Sequence, residues 1–411
     1  MLRSIGAPLL LSLALAACTT STAPGAPPAV QASTTSTDEA RMVAQLKEAY
    51  RQDPTSGTVL FWSDEQRRYG FKNTEQIFFT RTIEVGSSPL ALGSNPIDLT
   101  DVPYTVEGTN FTLADFIGNP ANIGLLVVQN GEVIFERYAP GNDRTSRWVS
   151  FSVTKSLTSM LIGAAIKDGF IASVDDKVVD YLPRLRNSAY EEASIADVLH
   201  MASGVAWDEN YADPNSDVAK AGGFNGIELV NYLSDLPNEA EPGTKFNYNT
   251  GETNLVGEIL RSAIGNNAAT YLSHKIWQPF GMEADADWLL GGPNAGELGG
   301  CCISATLRDY ARVGLFALND GRLADGTSVL PEGWMAQSIA PSEGRADYGY
   351  LWWLFDEGAY AARGIFGQQI FVDPKNNLVI ALHSNAPAAV DTNYHQHIEA
   401  ALAAIRKKIS K

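Results

Sequence analysis

Ser152 and Lys155 lie three positions apart in "SFSVTKSL", residues 150 to 157, and Lys155 is the only lysine in the chain with a serine at that spacing. On a helix, positions i and i+3 share a face, so the amine stands near the hydroxyl. A serine at a helix start also has unpaired backbone N–H groups and the positive end of the helix dipole beside it, and both favour a developing oxyanion. Val153, Leu157 and a strongly apolar following turn surround the lysine. Desolvation lowers the pKa of an amine, and a neutral amine can take a serine proton without any histidine. The other reading of the same eight residues is structural: Ser152 caps a helix and Lys155 reaches solvent.

Positioning this pair takes a helix and a sheet to hold it. Leu157, Met160, Leu161, Ala164 and Ala165 recur at helical spacing, which predicts a buried helix that stops before Gly169. Just upstream, "IGLLVVQNGEVIFERY" at 123 to 138 reads as two strands joined by Asn130-Gly131, the preferred type I′ hairpin turn. Residues 39–114 read as an N-terminal extension with a short helical pattern and two strand-like runs, "TVLFWS" and "QIFFTRTIEV". From 170 to about 310 the pattern is helical with long loops, with candidates near 194 to 201, 226 to 235, 252 to 264, 268 to 277 and 306 to 319. The last opens on the cap-like Thr306-x-x-Asp309. Strand patterns return in "YGYLWWLF", "AYAARGIFGQQIFVD" and "NLVIALHSN", and a final helix covers about 393 to 408. Strands at both ends with helices between them imply an α/β (α+β) fold whose sheet is assembled from distant segments.

Several other chemistries are disfavoured. A formal charge of −17 with no cluster of Lys and Arg argues against nucleic acid as a partner, since phosphate binding needs such clusters. The basic tail "RKKISK" reads as a solvated helix end. The five histidines show no metal-ligand spacing, and no Gly-x-Ser-x-Gly elbow, P-loop or Gly-x-Gly-x-x-Gly is present. No metal or organic cofactor is implied. Cys301 and Cys302 have only each other as neighbours; they read as a buried thiol pair, with a vicinal disulfide, redox or metal role as alternatives.

The N-terminus reads as a targeting segment. Arg3 followed by "IGAPLLLSLALAA" has the form of a signal peptide over residues 1–17, and "LAAC" at 15 to 18 resembles the bacterial lipobox. That resemblance implies a lipid on Cys18, a Pro/Ser/Thr-rich tether over 18–38, and a periplasm-facing, membrane-anchored place in a bacterial cell envelope. Thr19, where such signals use aspartate for inner-membrane retention, points to the outer membrane.

A second segment joins the first. "FNYNTGETNLVG" at 246 to 257 sets Tyr248 about ninety residues after Ser152, and "LHMASGV" at 199 to 205 and "ISATLRDYARVG" at 303 to 314 fall in order around it. Together these resemble the serine β-lactamase and penicillin-binding-protein superfamily over about residues 115–408. The resemblance implies an antiparallel β-sheet flanked by helices plus an all-helical domain, here a helical subdomain of about 170–310 inserted in a hydrolase domain of 115–411. Ala362-Arg363-Gly364 stands where the family usually has Lys-Thr-Gly or His-Thr-Gly, and Thr250 replaces the asparagine of Tyr-x-Asn. Gly364-Ile365-Phe366-Gly367-Gln368 is similar instead to the branch of 6-aminohexanoate-dimer hydrolases and related carboxylesterases.

Carried over by residue, the resemblance implies Ser152 as nucleophile, Lys155 as its base or as the group that keeps Tyr248 ionisable, Tyr248 as proton shuttle, and the N–H groups of Ser152 and Ile365 as oxyanion hole. The implied substrates are short carboxylic esters or linear amides. A penicillin-recognising D-alanyl carboxypeptidase or β-lactamase is the rival enzyme, and an inactive envelope binding module the rival outside enzymes. In "DENYADPNSD", Tyr211 or Asp213 could contact substrate, with a solvated loop as the alternative. Arg363 could hold a substrate carboxylate or pair with a surface acid.

Overall fold

The computed structural model describes residues 31–52 and 59–410. Cys18, the expected signal peptide and most of the expected tether lie outside the described residues. The chain divides into two compact units, residues 1–40 and 41–411. In the first, helix Gln31–Gln52 begins inside the stretch expected as tether, correcting its boundary of 38. The last proline of that stretch is Pro28, so beyond it no residue breaks a helix.

The second unit is built on a seven-stranded sheet. Its order in space is Trp353–Leu354, Tyr360–Arg363, Gln369–Asp373, Leu378–Ser384, Asn122–Gln129, Glu132–Tyr138 and Gly93–Ser94, antiparallel throughout except for the last pair. The hairpin expected at 123 to 138 is present, and Asn130 and Gly131 both have positive φ, as a type I′ turn demands. The central strand Asn122–Gln129 is apolar on both faces because the sheet is covered on both. Leu126 and Val128 join one core, while Leu125 and Val127 join the other.

Helix Leu307–Leu318 lies on the first face and Thr392–Ile409 closes the second with Tyr394, Ile398, Ala401, Leu402 and Ile405. Gly314 lets the first of these approach closely, since a Cβ there would stand 2.5 Å from a Val379 methyl and 2.8 Å from an Ile370 methyl. Beyond Leu307–Leu318, on the same side of the sheet, helix Val153–Lys167 is buried from Val153 to Ala165 and packs against Thr250–Ile264. It ends as expected, with Gly169 in the left-handed region.

Three local expectations are corrected. "TVLFWS" contains a 3-10 turn, Val59–Phe61, rather than a strand, because Trp62 turns inward to stack on Phe71 and Phe78. Within "YGYLWWLF" only Trp353–Leu354 forms a strand, while Tyr348 makes a single bridge to Trp353 and Trp352 is buried. The stretch from 170 to 310 holds two strands, Ala286–Leu289 and Ile303–Thr306, in a four-stranded sheet ordered Thr80–Ile83, Ala286–Leu289, Ile303–Thr306, Arg147–Val149. That sheet also ties residues 80–83 to the main unit. Phe71 sits against Trp148, Phe151 and Phe366, so the core runs across the boundary expected at 114 and 115.

Candidate active site

Ser152 stands immediately before helix Val153–Lys167, as its N-cap residue, and makes no side-chain capping bond. Its hydroxyl is therefore not spent on the helix, which removes the structural reading of this serine. Phe151 before it has φ +47, a costly conformation for a large side chain. The surroundings enforce it. Phe151 is wedged between Phe71 and Phe366, and Ser150 is clamped to strand Ile303–Thr306 by two backbone bonds, one from its own N–H and one to its hydroxyl.

Lys155 is one turn further on and 1% exposed, so it does not reach solvent. Its ammonium donates to Thr250 Oγ1 at 3.1 Å and to the Gly300 carbonyl at 2.9 Å, and lies 5.4 Å from the centre of the Tyr248 ring. Burial lowers its pKa to about 8, against the upward pull of the Glu209 carboxylate. Gly300 is needed for this grip, because a Cβ there would stand 3.0 Å from Nζ. In the neutral amine, two N–H groups bound in this way leave the lone pair free to accept a proton.

Tyr248 comes from the other helix. Asn249 caps Thr250–Ile264 through Glu252 N–H, and Tyr248 precedes that cap, held by stacking on Trp353 and edge-on contact with Tyr348. Burial and the Glu209 charge push its pKa well up, while the nearby Ser152 side chain and the Arg363 charge act the other way. The protonated phenol is thus the resting form, suited to handing over a proton rather than to standing as a free phenolate.

Ile365 closes the site from the sheet side. Gly364 brings this turn against the serine loop, since a Cβ there would stand 2.6 Å from the Ser150 carbonyl and 2.5 Å from Gln368 Oε1. The N–H groups of Gly364, Phe366 and Gly367 are used internally. Among the described residues, neither the Ser152 nor the Ile365 N–H donates to an internal acceptor, and both residues line the same cavity. Two unspent N–H groups beside a serine hydroxyl can bind an oxyanion.

The remaining candidates divide. Tyr211 lines the cavity, with its hydroxyl donating to Glu209 Oε1 at 2.6 Å. Asp213 is not brought to it; its carboxylate accepts the Asn215 N–H within its own loop. Arg363 follows the surface alternative, pairing with Glu399 at 3.0 Å and lying over Trp353. Cys301 and Cys302 line the cavity as a vicinal disulfide, correcting the expected thiol pair; adjacent positions in a turn bring the two sulfurs together.

Glu209 is the residue that sequence reasoning missed. It accepts from the hydroxyls of Thr250 and Tyr211, from the Trp207 indole and from the Thr250 N–H at 3.0 Å. Thr250, which the family pattern marked only as a departure, thus accepts from Lys155 and donates to Glu209. The one signal available was the run of acids at 208 to 217, from which Glu209 was not singled out.

The family model described as Beta-lactamase matches residues 119–404. A 6-aminohexanoate-dimer hydrolase from Paenarthrobacter ureafaciens is 29% identical over 294 residues, covering 66% of this chain and 74% of that protein. Among solved structures, a candidate 6-aminohexanoate-dimer hydrolase from Bacillus anthracis superposes with a TM-score of 0.75 at 22% identity, over 84% of this chain and 95% of that one. A family VIII carboxylesterase does so with a TM-score of 0.55 at 19% identity, over 71% of this chain and 95% of that one. At those identities the two structures establish the fold.

Proposed function

Since the chain belongs to the β-lactamase family of serine hydrolases, we propose that it hydrolyses carboxylic esters or linear amides through an acyl-enzyme on Ser152. The observation that carries this reading is the buried Lys155, whose pKa of about 8 and two bound N–H groups suit it to receive a proton beside an uncommitted serine. Ser152 Oγ attacks the carbonyl carbon while its proton passes to Lys155, directly or through Tyr248. The oxyanion is bound by the Ser152 and Ile365 N–H groups, an interaction that typically contributes several kcal/mol. Tyr248 returns the proton to the departing alcohol or amine, and water then attacks the acyl-enzyme by the same route. The Arg363–Glu399 pair and the engagement of Thr250 with Lys155 and Glu209 leave no free group in place of those that the family's penicillin-recognising members use.

The test follows a nitrophenyl ester, a linear aminohexanoate dimer and a chromogenic cephalosporin with the wild type, Ser152→Ala and Tyr248→Phe. Turnover of ester or dimer is expected to drop by on the order of 10³-fold or more in Ser152→Ala. Cephalosporin as the preferred substrate would move the assignment to penicillin recognition, and equal rates for wild type and Ser152→Ala on all three would remove the hydrolase reading. We also propose a lipid on Cys18, supported by the "LAAC" stretch; labelling of the growing cell with a palmitate analogue is expected to mark the wild type and not Cys18→Ala.

A further inference from the structure

A chamber of about 660 Å³ opens from Ser152, and its walls have a chemistry that the catalytic groups do not need. Ser152 and Ile365 belong to its wall, while Tyr248, the proton donor to the leaving group, does not. The chamber is accordingly assigned to the acyl side of the scissile bond. One wall is supplied by the segment before residue 80, with Leu60, Trp62, Phe71 and Phe78 facing inward. Phe224, Ile227 and the Leu289–Leu290 step line the chamber as well, with the polar Thr74, Asn225 and Asn294 among them. Its two charged side chains, Lys220 and Glu228, are solvent-exposed and so lie at the rim.

Apolar side chains stand at the mouth beside these charges. Phe79 and Ile227 are 37% and 49% exposed, and both belong to the short set of large apolar side chains that this protein leaves in water. Exposed apolar residues gathered at one opening indicate what enters it. Asp213, considered above for contact with substrate, is not on the wall.

We propose that this chamber binds a long, unbranched, uncharged acyl chain, so that the preferred substrates are esters or amides of medium- to long-chain fatty acids. The inference rests on the serine hydrolase reading and replaces the short acyl group expected from the sequence by a long one. Each methylene taken out of water then contributes about a fourfold gain in kcat/KM until the chamber is filled.

The experiment measures kcat/KM of the full chain on nitrophenyl acetate, butyrate, octanoate and dodecanoate, each below its micelle concentration, with Ser152→Ala as blank. Leu60→Asp and Ile227→Asp each place a carboxylate in the lining, on separate segments of the chain. The octanoate-to-acetate ratio is expected to exceed about 100 in the wild type and to fall at least tenfold in both aspartate variants. A wild-type ratio at or below one, with Ser152-dependent acetate turnover, would overturn the chain-length inference and leave the hydrolase standing. A high ratio that survives in both variants would overturn the placement of the chain in this chamber. If neither these esters nor the linear aminohexanoate dimer is turned over, the hydrolase reading fails, and calorimetric titration with octanoate and dodecanoate decides the chamber alone. Affinity rising with length and lost in Leu60→Asp supports it; affinity independent of length sinks it.

Discussion

At the scale of single residues, the site depends on a lysine that must be neutral to work. With a pKa of about 8, Lys155 is mostly protonated at pH 6 and mostly neutral at pH 9. Activity is therefore expected to rise with pH through about 8. Glu209 opposes this, because its carboxylate favours the ammonium. Glu209→Gln is expected to shift the rising limb of a kcat/KM profile to lower pH by about one unit. A merely structural role for Glu209 would lower the plateau and leave the midpoint in place, so the profile separates the two. Ser152 and Lys155 could be singled out by their spacing on one helix turn, whereas Tyr248 and Ile365 could be named only through the family resemblance. Glu209 was not legible, since its bond to Thr250 crosses 41 positions of irregular chain.

At the scale of elements, helix Thr250–Ile264 has to be held against the loops around it, and Glu252 does this from inside. Its Oε1 accepts from the hydroxyls of Ser203 and Tyr190, and burial raises its pKa to about 8. The folded state therefore keeps this proton over a range where the unfolded chain, near the ordinary glutamate value, has released it. The sign is fixed by that order: the group's full contribution to stability is present below about pH 4.5 and is lost as pH rises through about 8. Thermal melts at stepped pH are expected to show wild-type stability falling across this window by a few kcal/mol, and Glu252→Gln to flatten the dependence. The helix itself was readable from its apolar period. Its protonated carboxyl was not, because burial is a property of the assembled fold. The same limit explains "TVLFWS", whose alternation mimics a strand while Trp62 is drawn inward by Phe71 and Phe78.

At the scale of the whole molecule, the chain carries a net charge of −17. Such a field attracts cations over a distance set by salt. Turnover of an ester with a quaternary ammonium leaving group is expected to lose several-fold in kcat/KM between about 0.02 and about 0.5 M salt, while an uncharged ester of the same acyl chain is expected to change little. A cationic ester that proved equally insensitive would show that the acids face away from the approach to the site. The charge could be counted from composition; its arrangement around the cavity could not.

The central strand Asn122–Gln129 pairs on one side with its sequence neighbour Glu132–Tyr138 and on the other with Leu378–Ser384. During synthesis, about 250 residues must emerge before that second edge can be covered, and until then a largely apolar strand stands open along one side. Ser152 and Lys155 are made early, yet the Ile365 turn that completes their surroundings arrives with the late strands. An arrested or prematurely terminated chain is thus both inert and prone to aggregate. The order of manufacture gives the cell a hydrolase that cannot act before it is finished, and a nascent chain that needs a chaperone through most of its synthesis.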